Sequence, residues 1–167
     1  MSRQEMKQVV GIVIDSLAFA REGRHLVGEL AVSDLPRLAD VLAEQCGALS
    51  CHLGGGRSEE GKLFLSVEVE GELRLRCQRC LEPLLFPLQI KSRVFLVPPS
   101  APWPDEELED DSSDAIEALA EQSVASLIEE EVLLALPVAP RHEFCVLPAG
   151  GELDVLAVSP FATLTRH

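Results

Sequence analysis

The sequence predicts an α+β domain in which two or three helices pack on an antiparallel β-sheet of about six strands. Several segments between residues 25 and 97 alternate apolar and polar residues, with the period of two that is typical of strands with one buried face. Other segments place apolar residues at helical spacing behind N-capping residues. Apolar residues make up 47% of the 167-residue chain, which is enough for a substantial core.

The first part of the chain is predicted to hold two strands with a short helix between them. Residues 8–14 are largely apolar and favour a strand, and Asp15 is placed as the N-cap of a helix that ends near Gly23. Residues 25–32 alternate as a second strand. Lys7 and the apolar run that follows it also match the start of a short secretory signal, but the charge at Asp15 favours the strand.

A second helix, a strand and a loop are predicted next. Asp34 and Pro36 are typical of a first helical turn, and Gly47 is placed to end this helix. Residues 48–53 favour a strand. The glycine-rich residues 54–61 lack the Lys-Ser/Thr pair of a phosphate-binding loop, so a hairpin loop is predicted there.

The middle of the chain continues with strands of the same alternating kind. Residues 62–70 and 72–79 are predicted as two strands separated by a turn at Gly71, and residues 84–97 as a further strand. Because Pro87 lacks a backbone N–H, it restricts this last strand to a sheet edge or a bulge. Consecutive strands of this kind favour an antiparallel meander.

A proline-rich and then acidic segment separates the strands from the last helix. Residues 98–114 have little to bury, so we predict a flexible, mobile acidic arm within a single domain that spans residues 1–167. Helical spacing resumes after Ser123, a plausible N-cap, and ends at Pro137. Consecutive helical residues point about 100° apart, so residues 129–131, all glutamate, favour compensation of strand arginines over a convergent carboxylate site.

Composition excludes several classes of function. No apolar run approaches the length of about 20 residues that spans a bilayer, so no membrane partner is expected. The five cysteines form no regular framework, which favours a cytoplasmic protein, and Cys46 and Cys51 are predicted as buried core thiols. No nucleotide-binding, nucleophile or metal-hydrolase motif is present, so neither an enzyme nor a small-molecule substrate is expected. Aromatic residues make up only 4%, which argues against nucleic-acid binding by base stacking.

Charge is distributed unevenly along the chain. The net charge of −14 by itself disfavours a nucleic-acid partner, because phosphate contacts depend on Lys and Arg. Residues 71–93 nevertheless carry a local net charge of +3, whereas residues 94–131 hold twelve acidic residues and no basic one. Predictions about partners therefore depend on local charge.

The segment 73–83 concentrates the chemistry of the chain. It combines a Cys-x-x-Cys pair with three arginines on a predicted strand. Strand alternation places Arg74 and Arg76 on one face and Leu75 and Cys77 on the other. One face is therefore predicted to be wet and basic, and the other buried.

Four segments occur in an order and spacing that together are more specific than any one motif. They are the Cys-Gln-Arg-Cys-Leu-Glu-Pro run at 77–83, the segment 129–140 that begins Glu-Glu-Glu-Val, His142 with Cys145, and the Pro-Phe-Ala-Thr-Leu run at 160–164. This arrangement resembles the bacterial YceD family of large-subunit ribosomal RNA accumulation proteins. The resemblance covers nearly the whole chain. It implies a non-enzymatic cytoplasmic factor that supports the synthesis, processing or stability of large-subunit (23S) ribosomal RNA.

The resemblance also implies a metal site, from which this chain departs in part. In some family members the Cys-x-x-Cys pair is matched by two further cysteines, as in a four-cysteine zinc site, whereas this chain offers His142 and Cys145. Tetrahedral Zn²⁺ accepts three thiolates and one imidazole, and the implied ligands are Cys77, Cys80, His142 and Cys145. Two alternatives to structural zinc remain: a redox pair, which normally needs a helix N-terminus, and a pair of reduced thiols without metal.

The resemblance makes five basic residues candidates for RNA contact: Arg74, Arg76, Arg79, Lys91 and Arg93. They would contact phosphates and position ribosomal RNA without reading its sequence. Without the resemblance, a solvated strand face balanced by helix glutamates explains these residues equally well. One alternative function is an adaptor that binds a basic ribosomal or processing protein through the acidic arm without contacting RNA. Another is a zinc-stabilised or redox-responsive module. The oligomeric state is left open.

Overall fold

Buried and exposed side chains alternate along the strands of the main sheet. The predicted α+β fold class is confirmed. The computed structural model describes residues 8–103 and 114–145. Its elements are β1 (Val13–Ile14), α1 (Ser16–Arg21), β2 (His25–Ala31), β3 (Leu42–Glu44), β4 (Ala48–Arg57), β5 (Leu63–Arg76), β6 (Pro83–Val97), β7 (Asp114–Glu117), β8 (Gln122–Ser123) and α2 (Val124–Ala135). Two 3₁₀ turns, Val32–Asp34 and Pro36–Leu38, connect β2 to β3.

Six strands form the main sheet, and most of its pairs are antiparallel. The order is β2-β4-β5-β6-β7, and β3 pairs with the end of β5 beyond β4. β7 runs parallel to the end of β6, a pairing that the meander prediction did not include. β1 and β8 form a separate two-stranded pair. The meander prediction therefore describes β4 to β6 but not the pairing of β3 or of β7.

The two faces of the main sheet differ in character. On one face, side chains such as Leu65, Val67 and Leu73 are buried against α1 and α2. On the opposite face, which we call the outer face, the intervening residues of β5 are exposed from Glu68 onward, Arg74 among them, whereas Phe64 and Ser66 are half-buried. The predicted division of residues 73–77 into a basic exposed face and a buried face is therefore confirmed.

Both helices begin at the residues predicted to cap them. The Ala18 amide donates to Asp15 Oδ1 over 2.8 Å, and the Ser126 amide donates to Ser123 Oγ over 3.3 Å. Gly23, with φ of +60°, ends the first helix as expected. None of the helices among the described residues is long and apolar enough to cross a membrane.

Two predicted elements at the start of the chain are corrected. The strand predicted over residues 8–14 consists of one isolated bridge at Gln8 and the two residues of β1, since Gly11 takes a φ of +78° between them. The helix predicted from Asp34 to Gly47 consists of the two 3₁₀ turns and β3. Leu42 pairs with Leu75 of β5, so pairing with a distant strand overrides the local helical spacing.

Glycines predicted to form turns lie within strands instead. β4 continues through Gly54–Gly56, and β5 passes Gly71 without a break, so the loop predicted over residues 54–61 is limited to the short turn before Leu63. Gly55 faces α1, and a Cβ atom there would lie 2.5 Å from the Phe19 carbonyl oxygen. Gly55 therefore allows the backbone of β4 to pack closely on the backbone of α1.

We expect Gly55→Ala to destabilise the fold by about 2–3 kcal/mol, because helix backbone cannot move aside as cheaply as a side chain. Urea denaturation measures this difference. Gly71→Ala is the matched control, since its closest contact is the flexible end of Leu49, and a smaller loss is expected there. Equal losses for both variants would contradict the role assigned to Gly55.

Two further predictions, the position of Pro87 and the acidic arm at residues 98–114, concern the edge of the sheet. Pro87 lies opposite Glu72, and β7 pairs with Val94–Val97, so Pro87 is at an edge that no other strand of the described residues covers, as predicted. Of the acidic arm predicted at residues 98–114, residues 104–113 lie outside the described residues. Asp114 already belongs to β7, which is a strand that the sequence pattern missed.

Candidate metal centre and basic surfaces

A tight turn between β5 and β6 carries the Cys-x-x-Cys pair; we call residues 77–82 the knuckle. The Cys77 amide donates to the Glu82 carbonyl and the Leu81 amide to the Cys77 carbonyl, each over 3.0 Å. Leu81 takes a φ of +65°, a left-handed conformation that is uncommon for a branched side chain and is often found at functional sites. The knuckle is therefore a closed turn that holds its two cysteines in fixed positions.

The segment that follows α2 returns to the knuckle. The Gln78 amide donates to the Pro140 carbonyl over 2.8 Å, which fixes the start of residues 140–145 against the turn. His142 Nε2 lies 3.0 Å from the Pro83 carbonyl oxygen. Side chains separated by more than sixty positions in sequence are thereby brought together.

Four potential metal ligands converge between these two segments. Their donor atoms all lie within 4.8 Å of one another; the residues are Cys77, Cys80, His142 and Cys145. The Cys77 and Cys145 sulfurs are 4.0 Å apart, and Cys80 Sγ is 3.3 Å from His142 Nδ1. Zn–S bonds of about 2.3 Å place tetrahedral sulfurs roughly 3.8 Å apart, so the residues fit a tetrahedral ion. The cluster could hold a metal ion with all four positions filled by protein, as in structural sites.

The orientation of His142 suits it to metal binding. Because the Pro83 carbonyl can only accept, Nε2 carries the proton and donates the hydrogen bond. Nδ1 then keeps its free lone pair, and this atom faces Cys80. A histidine that ligates a metal through one nitrogen usually donates its other N–H to a carbonyl or carboxylate. The backbone at Pro83 therefore fixes the ring in a ligating orientation.

The cysteines of the cluster differ in acidity. Burial by itself raises the pKa of the Cys77 thiol, but hydrogen bonds outweigh burial and lower this pKa to about 5. The donors are the backbone N–H groups of Cys80, His142 and Arg79, together with the Cys80 side chain. Burial, hydrogen bonding to the other two sulfurs and their charge raise the pKa of Cys145. The lowered pKa favours the thiolate form of Cys77 at neutral pH, which is the form in which sulfur can bind a metal.

The other two cysteines lie outside this cluster. Cys51 is buried in the core as predicted, and burial raises the pKa of its thiol to about 12. Cys46 is exposed, so its prediction as a core thiol is wrong. It lies in the connection between β3 and β4, next to Gly47 with its φ of +91°, where the chain turns away from the core.

Three of the predicted RNA-contact residues surround the knuckle; we call Arg74, Arg76 and Arg79 the knuckle arginines. All three are exposed. Arg74 Nη1 forms an ion pair with Glu44 Oε2 over 2.8 Å, whereas Arg76 and Arg79 pair with no carboxylate within residues 8–103 and 114–145. Arg141 is also exposed on the segment fixed to the knuckle, and sequence reasoning missed it because the return of this segment is a tertiary feature.

Lys91 and Arg93 lie elsewhere on the outer face. Arg93 is opposite Ser66 of β5, eight residues from Arg74, which corresponds to about 27 Å along the strand. Three exposed glutamates occupy the intervening positions of β5: Glu68, Glu70 and Glu72. The structure therefore does not bring the five candidates together but separates them into two groups.

The helix glutamates do not compensate the strand arginines. Glu129 is buried, and its Oε1 accepts a hydrogen bond from the Arg37 backbone amide over 2.6 Å. Glu131 is also buried, on the core side of the sheet. The partner of Arg74 is Glu44 of β3 instead. The prediction failed because α2 packs on the face of the sheet from which the arginines point away.

The fold and the ligand cluster together define a class: an α+β protein in which a Cys-x-x-Cys turn and a returning Cys/His segment close a potential metal site at one end of the sheet. Residues 65–158 match the family described as "Large ribosomal RNA subunit accumulation protein YceD", and the chain belongs to this family.

One relative shows how far the similarity extends. The protein named "Large ribosomal RNA subunit accumulation protein YceD" from Haemophilus influenzae (strain ATCC 51907 / DSM 11121 / KW20 / Rd) is 26% identical over 156 residues. The aligned part covers 89% of this chain and 85% of that protein. No solved structure matches this chain.

Proposed function

We propose that this protein supports the accumulation of large-subunit ribosomal RNA as a cytoplasmic, non-enzymatic factor that binds RNA through the knuckle arginines. Family membership supports the biological role. The observation that carries the mode of action is the exposure of these arginines around a turn closed by two hydrogen bonds. Guanidinium groups on a rigid turn are suited to bidentate contact with phosphates.

We further propose that the knuckle contains a structural Zn²⁺, held by Cys77, Cys80, His142 and Cys145. The bound ion would crosslink the turn to the segment after α2. Such a site keeps the knuckle arginines in place and supplies no reaction chemistry.

Zinc binding is expected to release at least one proton at neutral pH and to weaken as the pH falls. Cys77, with a pKa of about 5, is already a thiolate at neutral pH, whereas Cys145, with its raised pKa, must lose a proton to bind. Calorimetry in buffers of different ionisation enthalpy measures the released protons. An affinity that is the same at about pH 6 and pH 8 would contradict this assignment.

A protein partner is the second candidate, favoured by apolar side chains around the same turn. Leu81 is 61% exposed and Phe144 is 92% exposed, and both flank cluster cysteines. Such side chains suit a protein interface better than contact with phosphates. An adaptor of this kind would bind a ribosome-biogenesis protein and influence RNA indirectly.

Ultraviolet crosslinking in cells, with recovery of RNA and protein together, tests both candidates. We expect large-subunit ribosomal RNA among the direct crosslinks, and depletion of the protein should lower that RNA relative to small-subunit RNA. Crosslinks to protein alone, with the same RNA deficit on depletion, would favour the adaptor.

A further inference from the structure

The outer face contains a groove at the end of the sheet remote from the knuckle. Its volume is about 1080 Å³, and it lies between the β4–β5 hairpin and the turn that follows β6. Basic and aromatic side chains line it together: Arg57, Lys62, Phe64, Lys91, Arg93 and Phe95. None of these side chains is fully buried, so the groove is accessible to a ligand.

Phe64 and its neighbours form a fixed platform in this groove. The ring lies against the backbone of Gly56, where a Cβ atom would be 2.6 Å from Phe64 Cζ. Phe95 packs edge-to-face against the ring, with centroids 6.1 Å apart. The Arg93 guanidinium carbon lies 4.3 Å from the Phe64 ring centroid, over the ring. The guanidinium is thus held by a π contact, and Arg93 is exposed to solvent.

The charges around the platform leave cations available. Lys62 is paired with Glu60 over 2.9 Å, and Glu68 Oε2 lies 3.9 Å from His52 Nδ1. Within the described parts of the chain, neither Arg57 nor Arg93 has a carboxylate partner. Arg57 is instead positioned by a hydrogen bond to the Gly61 carbonyl over 3.2 Å. Glu59, Glu60 and Glu68 also line the groove, but an anionic ligand still meets two guanidinium groups that no described carboxylate neutralises.

We propose that this groove binds single-stranded RNA, with one base stacked on the Arg93 guanidinium and the adjoining phosphates contacted by Arg57 and Lys91. Unpaired bases commonly stack on aromatic rings or arginine planes, and such stacking tolerates any sequence. The inference rests on the proposed RNA-binding function and adds a second contact site about 27 Å from the knuckle arginines. A ligand that reaches both sites must present an unpaired stretch at one of them.

The substitution Arg93→Lys separates stacking from charge, because lysine keeps the charge and loses the planar group. The probes are a fluorescein-labelled single-stranded RNA of about 12 nucleotides and a fully paired RNA duplex of the same length, both measured by anisotropy at low salt. We expect Arg93→Lys to weaken single-strand binding about tenfold and to leave duplex binding unchanged. Arg21→Lys, the same exchange at an exposed position of α1 on the other side of the sheet, should change neither.

Phe64→Leu provides a second variant that removes the platform itself. Its thermal midpoint is measured alongside the anisotropy, so that loss of fold is distinguished from loss of binding. A folded Phe64→Leu protein is expected to show the same selective loss as Arg93→Lys.

The outcomes separate this inference from the proposed function. Both groove variants could bind RNA with wild-type affinity while replacement of the knuckle arginines abolishes binding. This result would contradict the RNA site in the groove and would still support the proposed function. If the wild-type protein binds neither probe, both the groove site and the proposed RNA-binding function are contradicted. Retained RNA affinity together with loss of a crosslinked protein would assign the groove to a protein partner and overturn the RNA site.

Discussion

Replacing Cys77 by serine is expected to abolish stoichiometric zinc binding and to lower the thermal midpoint by roughly 10 °C. Cys77 is buried and its pKa is lowered to about 5, so its sulfur is available as a thiolate at neutral pH, whereas serine offers none. Loss of one of the four ligands should lower the zinc affinity at least about 100-fold. Even residues that only hydrogen-bond to a ligand typically account for a 10- to 100-fold change in metal affinity. At roughly 1,000 times the dissociation constant, a ligand stabilises by about 4 kcal/mol, which corresponds to this shift in midpoint.

Zinc content after purification without chelator, and thermal denaturation with and without chelator, are the two measurements. The wild-type protein should contain about one zinc per chain and lose stability when the metal is removed. Cys46→Ser is the matched control, because Cys46 is an exposed thiol outside the cluster, and it should keep both metal and stability. Wild-type protein that contains no zinc and does not respond to chelator would show that the cluster is a group of reduced thiols.

The second large effect is expected on RNA. Replacement of Arg74, Arg76 and Arg79 by glutamine should weaken binding of a large-subunit ribosomal RNA fragment by about 100-fold at low salt, if each contact contributes on the order of 1 kcal/mol. The dependence of log K on log salt should become shallower by about 2 to 3, because three phosphates are no longer neutralised. Anisotropy titrations over a range of salt concentrations measure both quantities.

A charge-matched control distinguishes local contact from a change in net charge. Arg21, Arg24 and Arg37 are exposed on α1, on the turn after it and on the second 3₁₀ turn. Their joint replacement by glutamine alters net charge equally and should reduce affinity much less. Similar losses in both triple variants would reject the knuckle as the contact site.

The ion pair of Arg74 offers a test in the opposite direction. Glu44→Gln removes the carboxylate that holds this guanidinium, so affinity should rise slightly. The gain is small because an exposed pair is worth at most about 1 kcal/mol. No gain, or a loss, would indicate that Glu44 positions Arg74 for the RNA rather than competing with it.

Sequence patterns predicted the structure correctly where it depends on residues close together in sequence. Asp15 and Ser123 cap the helices that their positions predict, since a capping side chain needs only the next few residues. The strand at residues 84–97 and its edge proline were foreseen for the same reason. The predicted helix after Asp34 failed because Leu42 gains more from pairing with β5 than from helical spacing.

The aromatic residues show the limit of composition as evidence. Their low proportion argued against stacking, yet Phe64 and Phe95 are neighbours on one face because β5 and β6 pair in that register. A property averaged over the chain carries no information about which residues meet. The separation of the five basic residues into two groups likewise could not be predicted from the sequence. It depends on strand length and on the register between β5 and β6.

The sequence alone determined local features: the buried and exposed faces of residues 73–77, the caps of α1 and α2, and the availability of three thiols and an imidazole. These features follow from periodicity and from residue type, both of which are local. Only the tertiary structure decided that the four donors converge, because a hydrogen bond between Gln78 and Pro140 joins segments more than sixty positions apart. It also decided that Arg74 on β5 and Arg93 on β6 lie far apart on the outer face, because Arg93 pairs with Ser66, eight residues along the extended β5 strand from Arg74.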